Sequence, residues 1–141
     1  MMRLMSDQKP GWAGSPAPST ADFLKLAQAA FDALPAEFRA LAGEVEIRVQ
    51  DFAEDALLDE MGMESAFELT GLYDGVDLSR RSVFEATPPS RVFLYRRPIL
   101  DEWAERGDVT LEFLVAHVLV HEIGHHFGLS DDQIDAIEAG D

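Results

Sequence analysis

Apolar positions fall at two spacings along this chain, and the switches between them outline its elements. Phe23, Leu26, Ala27, Ala30, Phe31 and Leu34 recur three and four residues apart, which predicts a helix over residues 21–34 capped by Ser19 or Thr20. Pro35 ends that helix or opens a short one over residues 36–41, and Gly43 breaks the chain. Val45, Ile47 and Val49 then alternate with Glu46, Arg48 and Gln50, the period of a half-buried strand. A short helix is expected over residues 54–61, stopped by Gly62. The runs 67–73 and 91–97 read as further strands, with Asp74-Gly75 as a hairpin turn signal and Pro88-Pro89 as a loop. The charges of Arg91, Arg96 and Arg97 place the second of these runs at a sheet edge.

The C-terminal third is helical in pattern. Residues 99–106 form one helix ended by Gly107. Asp108 is the expected cap of the principal helix, residues 109–127, with Gly128 as its stop. Leu111, Phe113, Leu114, Val115, Val118, Leu119, Val120, Ile123 and Phe127 cover most of its circumference, so it is expected to lie buried in the middle of the domain. A last helix starts at Ser130, with Gln133 placed as its capping-box partner. Helices first, then three or four strands, then a central helix describe an α+β fold: a small mixed or antiparallel sheet packed on the central helix, with flanking helices. Residues 1–19, with their Pro, Gly and Ser turns and the isolated Trp12, read as a flexible tail, and residues 20–141 as a single domain.

Composition narrows the chemistry. The 141 residues contain no cysteine, which excludes a disulfide scaffold, a thiolate metal site and a cysteine nucleophile. Any metal must be held by nitrogen and oxygen. The net charge of −16 argues against nucleic acid, which needs a basic footprint, and against anionic membrane surfaces. No apolar run approaches the roughly 18–20 residues of a membrane span, and no signal-peptide stretch follows Met1, so the expectation is a cytoplasmic protein.

All four histidines fall between positions 117 and 126, and residues 121–125 form His-Glu-x-x-His on the principal helix. Side chains four apart share a helix face, about 5–6 Å apart at Cβ. His121 and His125 can therefore converge on one metal ion, while Glu122, about 100° round the helix, faces the water in the open coordination position. That arrangement predicts a Zn2+ cofactor, a water made acidic by the metal, and Glu122 as general base. His117 shares the face but lies about 12 Å from His125 along the axis, too far to bind the same ion. It reads as a residue behind the ligands or a core histidine, as does His126.

A third ligand is expected downstream. Gly128 can turn left-handed at the helix end and bring Asp131 back to the metal. Asp131 also suits the first turn of the last helix, where it meets the helix dipole. Glu138 is the alternative ligand. The pattern His121-Glu122-x-x-His125-x-x-Gly128-x-x-Asp131 is similar to the extended signature of metzincin-type peptidases, with aspartate where most have a third histidine.

The run 121–132 further resembles the small bacterial zincin-like metallopeptidase family, as do Leu69-Thr70-Gly71-Leu72-Tyr73-Asp74-Gly75-Val76 and the stretch 91–99. The resemblance spans about residues 45–138 in the same order. It implies a minimal zincin fold, a zinc site and peptidase activity. It also implies that an edge strand pairs with extended substrate, and the run 91–97 is the expected cleft rim. Tyr95 or Tyr73 is a candidate oxyanion or substrate contact. No methionine follows the signature, unlike true metzincins, so the expected cleft is shallow, and a partner or second copy completing it is a further expectation.

The leading expectation is a zinc-dependent metallopeptidase acting on a peptide or unfolded protein. The alternatives are a metal-dependent amidase on a non-peptide substrate and a non-catalytic zinc-stabilised interaction domain. Glu122 beside the histidines favours catalysis, because a purely structural site needs no base and is closed by four protein ligands.

Overall fold

The computed structural model describes residues 17–77, 80 and 89–140. The helices are α1 (Thr20–Asp32), α2 (Ala36–Ala42), α3 (Asp55–Glu60), α4 (Arg96–Arg106), α5 (Leu111–His126) and α6 (Asp131–Gly140). The strands are β1 (Glu46–Gln50), β2 (Gly71–Asp74) and β3 (Arg91–Tyr95). The fold is the α+β arrangement expected, with a three-stranded mixed sheet in the order β1-β3-β2.

Local chemistry sets the helix ends. The Ser19 hydroxyl accepts the Asp22 N–H at 3.1 Å, and the Asp22 carboxylate accepts the Ser19 N–H at 2.9 Å, a reciprocal box that starts α1. The principal helix begins two residues later than Asp108 would have it. Thr110 is the cap, its hydroxyl accepting the Phe113 N–H at 3.0 Å. Gly107, at φ 70°, ends α4 in the left-handed turn that glycine adopts without strain. The chain is held to the domain already at Pro18, inside the stretch read as tail. Pro18 is buried, and its carbonyl accepts the Arg96 Nε–H at 2.6 Å. Trp12 and the rest of residues 1–16 lie outside the described residues.

Strand β3 corrects the largest expectation. It is the central strand and not an edge, paired parallel to β1 (Glu46↔Arg91 to Gln50↔Tyr95) and antiparallel to β2 (Gly71↔Leu94 to Asp74↔Arg91). The charges that argued for an edge sit at its ends. Arg91 meets Glu46 at 3.3 Å and Asp74 at 3.8 Å, while Arg96 and Arg97 already belong to α4. Between them Val92 and Leu94 are fully buried, each contributing roughly 1.5–3 kcal/mol of burial, and such a strand belongs inside a sheet. Pro98 therefore lies in the first turn of α4 and does not close a strand. The run 67–73 is also divided: Ser65 caps a 3₁₀ turn over Ala66–Glu68, and only Gly71–Asp74 is strand. Asp74-Gly75 does not make a two-residue hairpin, because the strand that pairs with β2 begins only at Arg91.

Helix α5 crosses one face of the sheet. Leu111, Leu114, Val115, Val118, Leu119 and Ile123 pack with Val92 and Leu94 of β3 and with Phe23 and Ala27 of α1. One flank of α5 is not buried: Phe113 is 53% exposed and stacks on His117, with ring centroids 6.0 Å apart. The opposite face of the sheet carries a second cluster of Ala53, Leu58, Leu69 and Tyr95. No helix among the described residues is long and apolar enough to cross a membrane.

Candidate metal centre

The last turns of α5, the turn after it and the start of α6 build the site. Phe127 and Gly128 close α5, Gly128 at φ 83° with its N–H on the His125 carbonyl at 3.0 Å. The chain reverses there as expected, and Ser130 caps α6: its hydroxyl accepts the Gln133 N–H at 3.2 Å while Gln133 Oε1 accepts the Ser130 N–H at 2.8 Å. Asp131, first residue of α6, is thereby returned to the histidines.

His121, His125 and Asp131 each offer one ligand atom, and those atoms lie within 4.8 Å of one another. Asp131 Oδ1 is 2.9 Å from His121 Nε2 and 3.0 Å from His125 Nε2. The His125 Nδ1 is 2.9 Å from the Leu129 carbonyl. A carbonyl only accepts, so Nδ1 carries the proton and a neutral His125 presents a lone pair at Nε2. That lone pair faces a carboxylate oxygen, a repulsive contact unless a cation or a proton lies between them. Two imidazole nitrogens and one carboxylate around a common point fit a divalent metal ion of the zinc type, with room for a further ligand. The Asp131 carboxylate is held below the usual range, chiefly by its hydrogen bond to His121, and its side chain is 71% exposed.

Glu122 sits beside this triad and does not join it. Burial raises its pKa, an effect opposed by His125, His121 and the Tyr73 backbone N–H and reinforced by Asp131. Both Glu122 and the triad line a cleft of about 630 Å³, which Thr70 and the β2 residues Gly71, Leu72 and Tyr73 also line. Glu138 lies in α6, but its side chain is outside what is described.

The two tyrosines part company. Tyr95 is 2% exposed in the cluster on the far face of the sheet, and burial pushes its phenol up to about 12. It does not line the cleft, because residue 95 points to the face opposite α5. Tyr73 lines the cleft, but its hydroxyl is engaged: it is 2.8 Å from His126 Nδ1 and 3.2 Å from Ser90 Oγ. His126 is fully buried, as expected of a residue behind the ligands, and His117 stands apart from the triad.

Two glycines were missed by the sequence reading. A Cβ on Gly124 would lie 2.6 Å from Ile134 Cδ1, so α6 can seat on α5 only because residue 124 has no side chain. Ile134 is anchored there three residues beyond Asp131, which places the carboxylate. Gly71 has the same relation to α5 from the strand side. The one sequence signal was a glycine inside an element, where it weakens the element and implies a close approach.

A histidine pair one helical turn apart, an acidic third donor and a carboxylate alongside define the class of metal-dependent hydrolase sites. The chain belongs to the zincin-like metallopeptidase family, whose description matches residues 42–141. No curated protein matches it.

Proposed function

We propose that this protein is a zinc peptidase in which His121, His125 and Asp131 hold the metal and Glu122 is the general base. The observation that carries this reading is the convergence of the three donor atoms within 4.8 Å beside a half-buried carboxylate in an open cleft. Bound there, zinc supplies Lewis acidity, making a water more acidic and polarising a carbonyl. Glu122 accepts the proton of the attacking water and returns it to the leaving amine. Its raised pKa suits that exchange, because a carboxylate reluctant to stay charged gains more from taking a proton. The Leu129 carbonyl fixes the His125 ring so that Nε2 faces the metal.

The substrate is a peptide or an unfolded segment laid along β2. That strand borders the cleft and has no strand partner on its outer edge among the described residues. It replaces β3 as the cleft rim, since both edges of β3 are occupied by the sheet. Main-chain bonds to such an edge bind extended peptides with little regard to side chain.

Metal analysis joined to peptide-library cleavage tests the proposal, with Glu122→Gln beside the wild type. One zinc per chain in both, with cleavage by the wild type alone, is the expected outcome. Zinc in both with cleavage by neither contradicts the assignment as a peptidase.

A further inference from the structure

Gly71 is a puzzle as a strand residue. Glycine is among the poorest strand formers and costs conformational entropy on folding. Its backbone does not call for it either, since the positive-φ glycines are Gly62, Gly107 and Gly128. The reason lies in space: a Cβ here would be 2.7 Å from Val118 Cγ1, 3.2 Å from Glu122 Cγ and 3.3 Å from the Phe93 carbonyl. Two of those three neighbours are on α5, and one is the side chain next to the metal-ligand pair.

The strand's hydrogen-bond phase adds a second observation. The Tyr95 N–H donates to the Thr70 carbonyl at 2.9 Å, which fixes Thr70–Tyr95 as a bonded pair of the antiparallel ladder. Bonded pairs alternate, so Leu72 and Asp74 also face β3, whereas Gly71 and Tyr73 turn their amides to the outer edge. The Tyr73 amide on that edge is the backbone group that favours the charged form of Glu122. Tyr73 is anchored at its far end as well, its hydroxyl 2.8 Å from His126 Nδ1 in the last turn of α5.

We propose that β2 positions the carboxylate of Glu122: Gly71, by lacking a Cβ, lets that side chain lie against the strand, where the Tyr73 N–H holds it. The inference rests on the reading of Glu122 as general base and adds the residues that aim it. Gly71 and Tyr73 are positioning residues. They set where the base points and leave metal binding to the helix and to Asp131. The Tyr73 amide is thereby taken, so the bonds β2 offers a substrate start from Gly71 and from the Tyr73 carbonyl.

The test has one arm that needs neither metal nor turnover. In the metal-free full chain, the Tyr73 amide proton resonates downfield in the wild type. It moves upfield in Glu122→Ala by more than any other β2 or β3 amide. An unmoved Tyr73 amide overturns the proposal. In the second arm, zinc-loaded Gly71→Ala keeps its zinc, loses about 10- to 100-fold in kcat and holds KM within about threefold, the pattern of a misdirected catalytic group. If that variant does not fold, Gly71→Ala/Val118→Ala removes the shortest collision, leaves the one with Glu122 and is expected to show the same split. Wild-type kcat in the folded variant overturns the proposal, while the loss of cleavage in Glu122→Gln would leave the general-base reading standing. Absence of cleavage by the wild type strikes that reading instead, and the amide shift still decides whether β2 holds the carboxylate.

Discussion

The sheet has two edges and a cleft beside each. Along β2 the cleft is about 630 Å³, and along β1 it is about 500 Å³. Among the described residues the β1 cleft is lined by Leu24, Lys25, Gln28, Phe31, Gly43, Val45 and Ile47, none of them a histidine or carboxylate. The β2 cleft contains His121, His125, Glu122 and Asp131. Similar volumes thus carry different chemistry, and what separates them is the helix beside each: the last turns of α5 at β2 and the side of α1 at β1. The edges differ in the same sense. On β1 two of the three exposed positions are charged, Glu46 and Arg48, paired at 3.0 Å, a device that discourages strand addition. On β2 a glycine lets the strand lie against α5, with Glu122 Cγ only 3.2 Å from where a Cβ on Gly71 would be.

Removing a ligand is the harshest way to break this contrast. His125→Ala is expected to lose stoichiometric zinc and to lower cleavage by more than about 100-fold, beyond the usual cost of losing a residue behind a ligand. Metal content after dialysis and initial rates measure both. Next in size is Tyr73→Phe, which takes from the buried His126 its hydroxyl partner on β2. Denaturant unfolding should show a loss of about 0.5–1.5 kcal/mol, the net worth of an ordinary hydrogen bond.

A subtler effect concerns the metal-free protein. Burial raises the Glu122 pKa, so the folded chain binds that proton more tightly than the unfolded chain. Ionised Glu122 therefore costs stability at neutral pH, and the cost fades as pH falls through the raised pKa. Metal-free Glu122→Gln should be more stable than the wild type at neutral pH, with the gap narrowing on acidification. Thermal melts across a pH series would show a widening gap on acidification if the sign were wrong. At the β1 cleft, Lys25→Ala should leave zinc content and cleavage unchanged and move stability by less than about 0.5 kcal/mol. A large loss of activity there would end the contrast between the two edges.

The grouping of the candidate site residues was more legible than the sheet. His121, Glu122 and His125 follow from helical spacing alone, and Gly128 with Asp131 from the turn chemistry that ends a helix, because both signals are local. Strand order is not local. Arg91, Arg96 and Arg97 read as edge charges, yet ion pairing at one strand end and entry into α4 at the other leave the middle of β3 buried between two neighbours. Tyr95 and Tyr73 could not be told apart for the same reason, since only the pairing of β2 with β3 reveals which faces α5. Gly71 and Gly124 signal a close approach without naming the partner. The partners are Val118 and Glu122 for one and Ile134 for the other, and they are in place only once the elements have packed.

Diffraction from zinc-loaded crystals of the full chain, collected on both sides of the zinc absorption edge, tests the central claim most directly. The account predicts one anomalous peak at about 2.0–2.2 Å from His121 Nε2, His125 Nε2 and an Asp131 oxygen, with Glu122 uncoordinated. A peak elsewhere, or one that leaves His125 or Asp131 outside the coordination sphere, would contradict it.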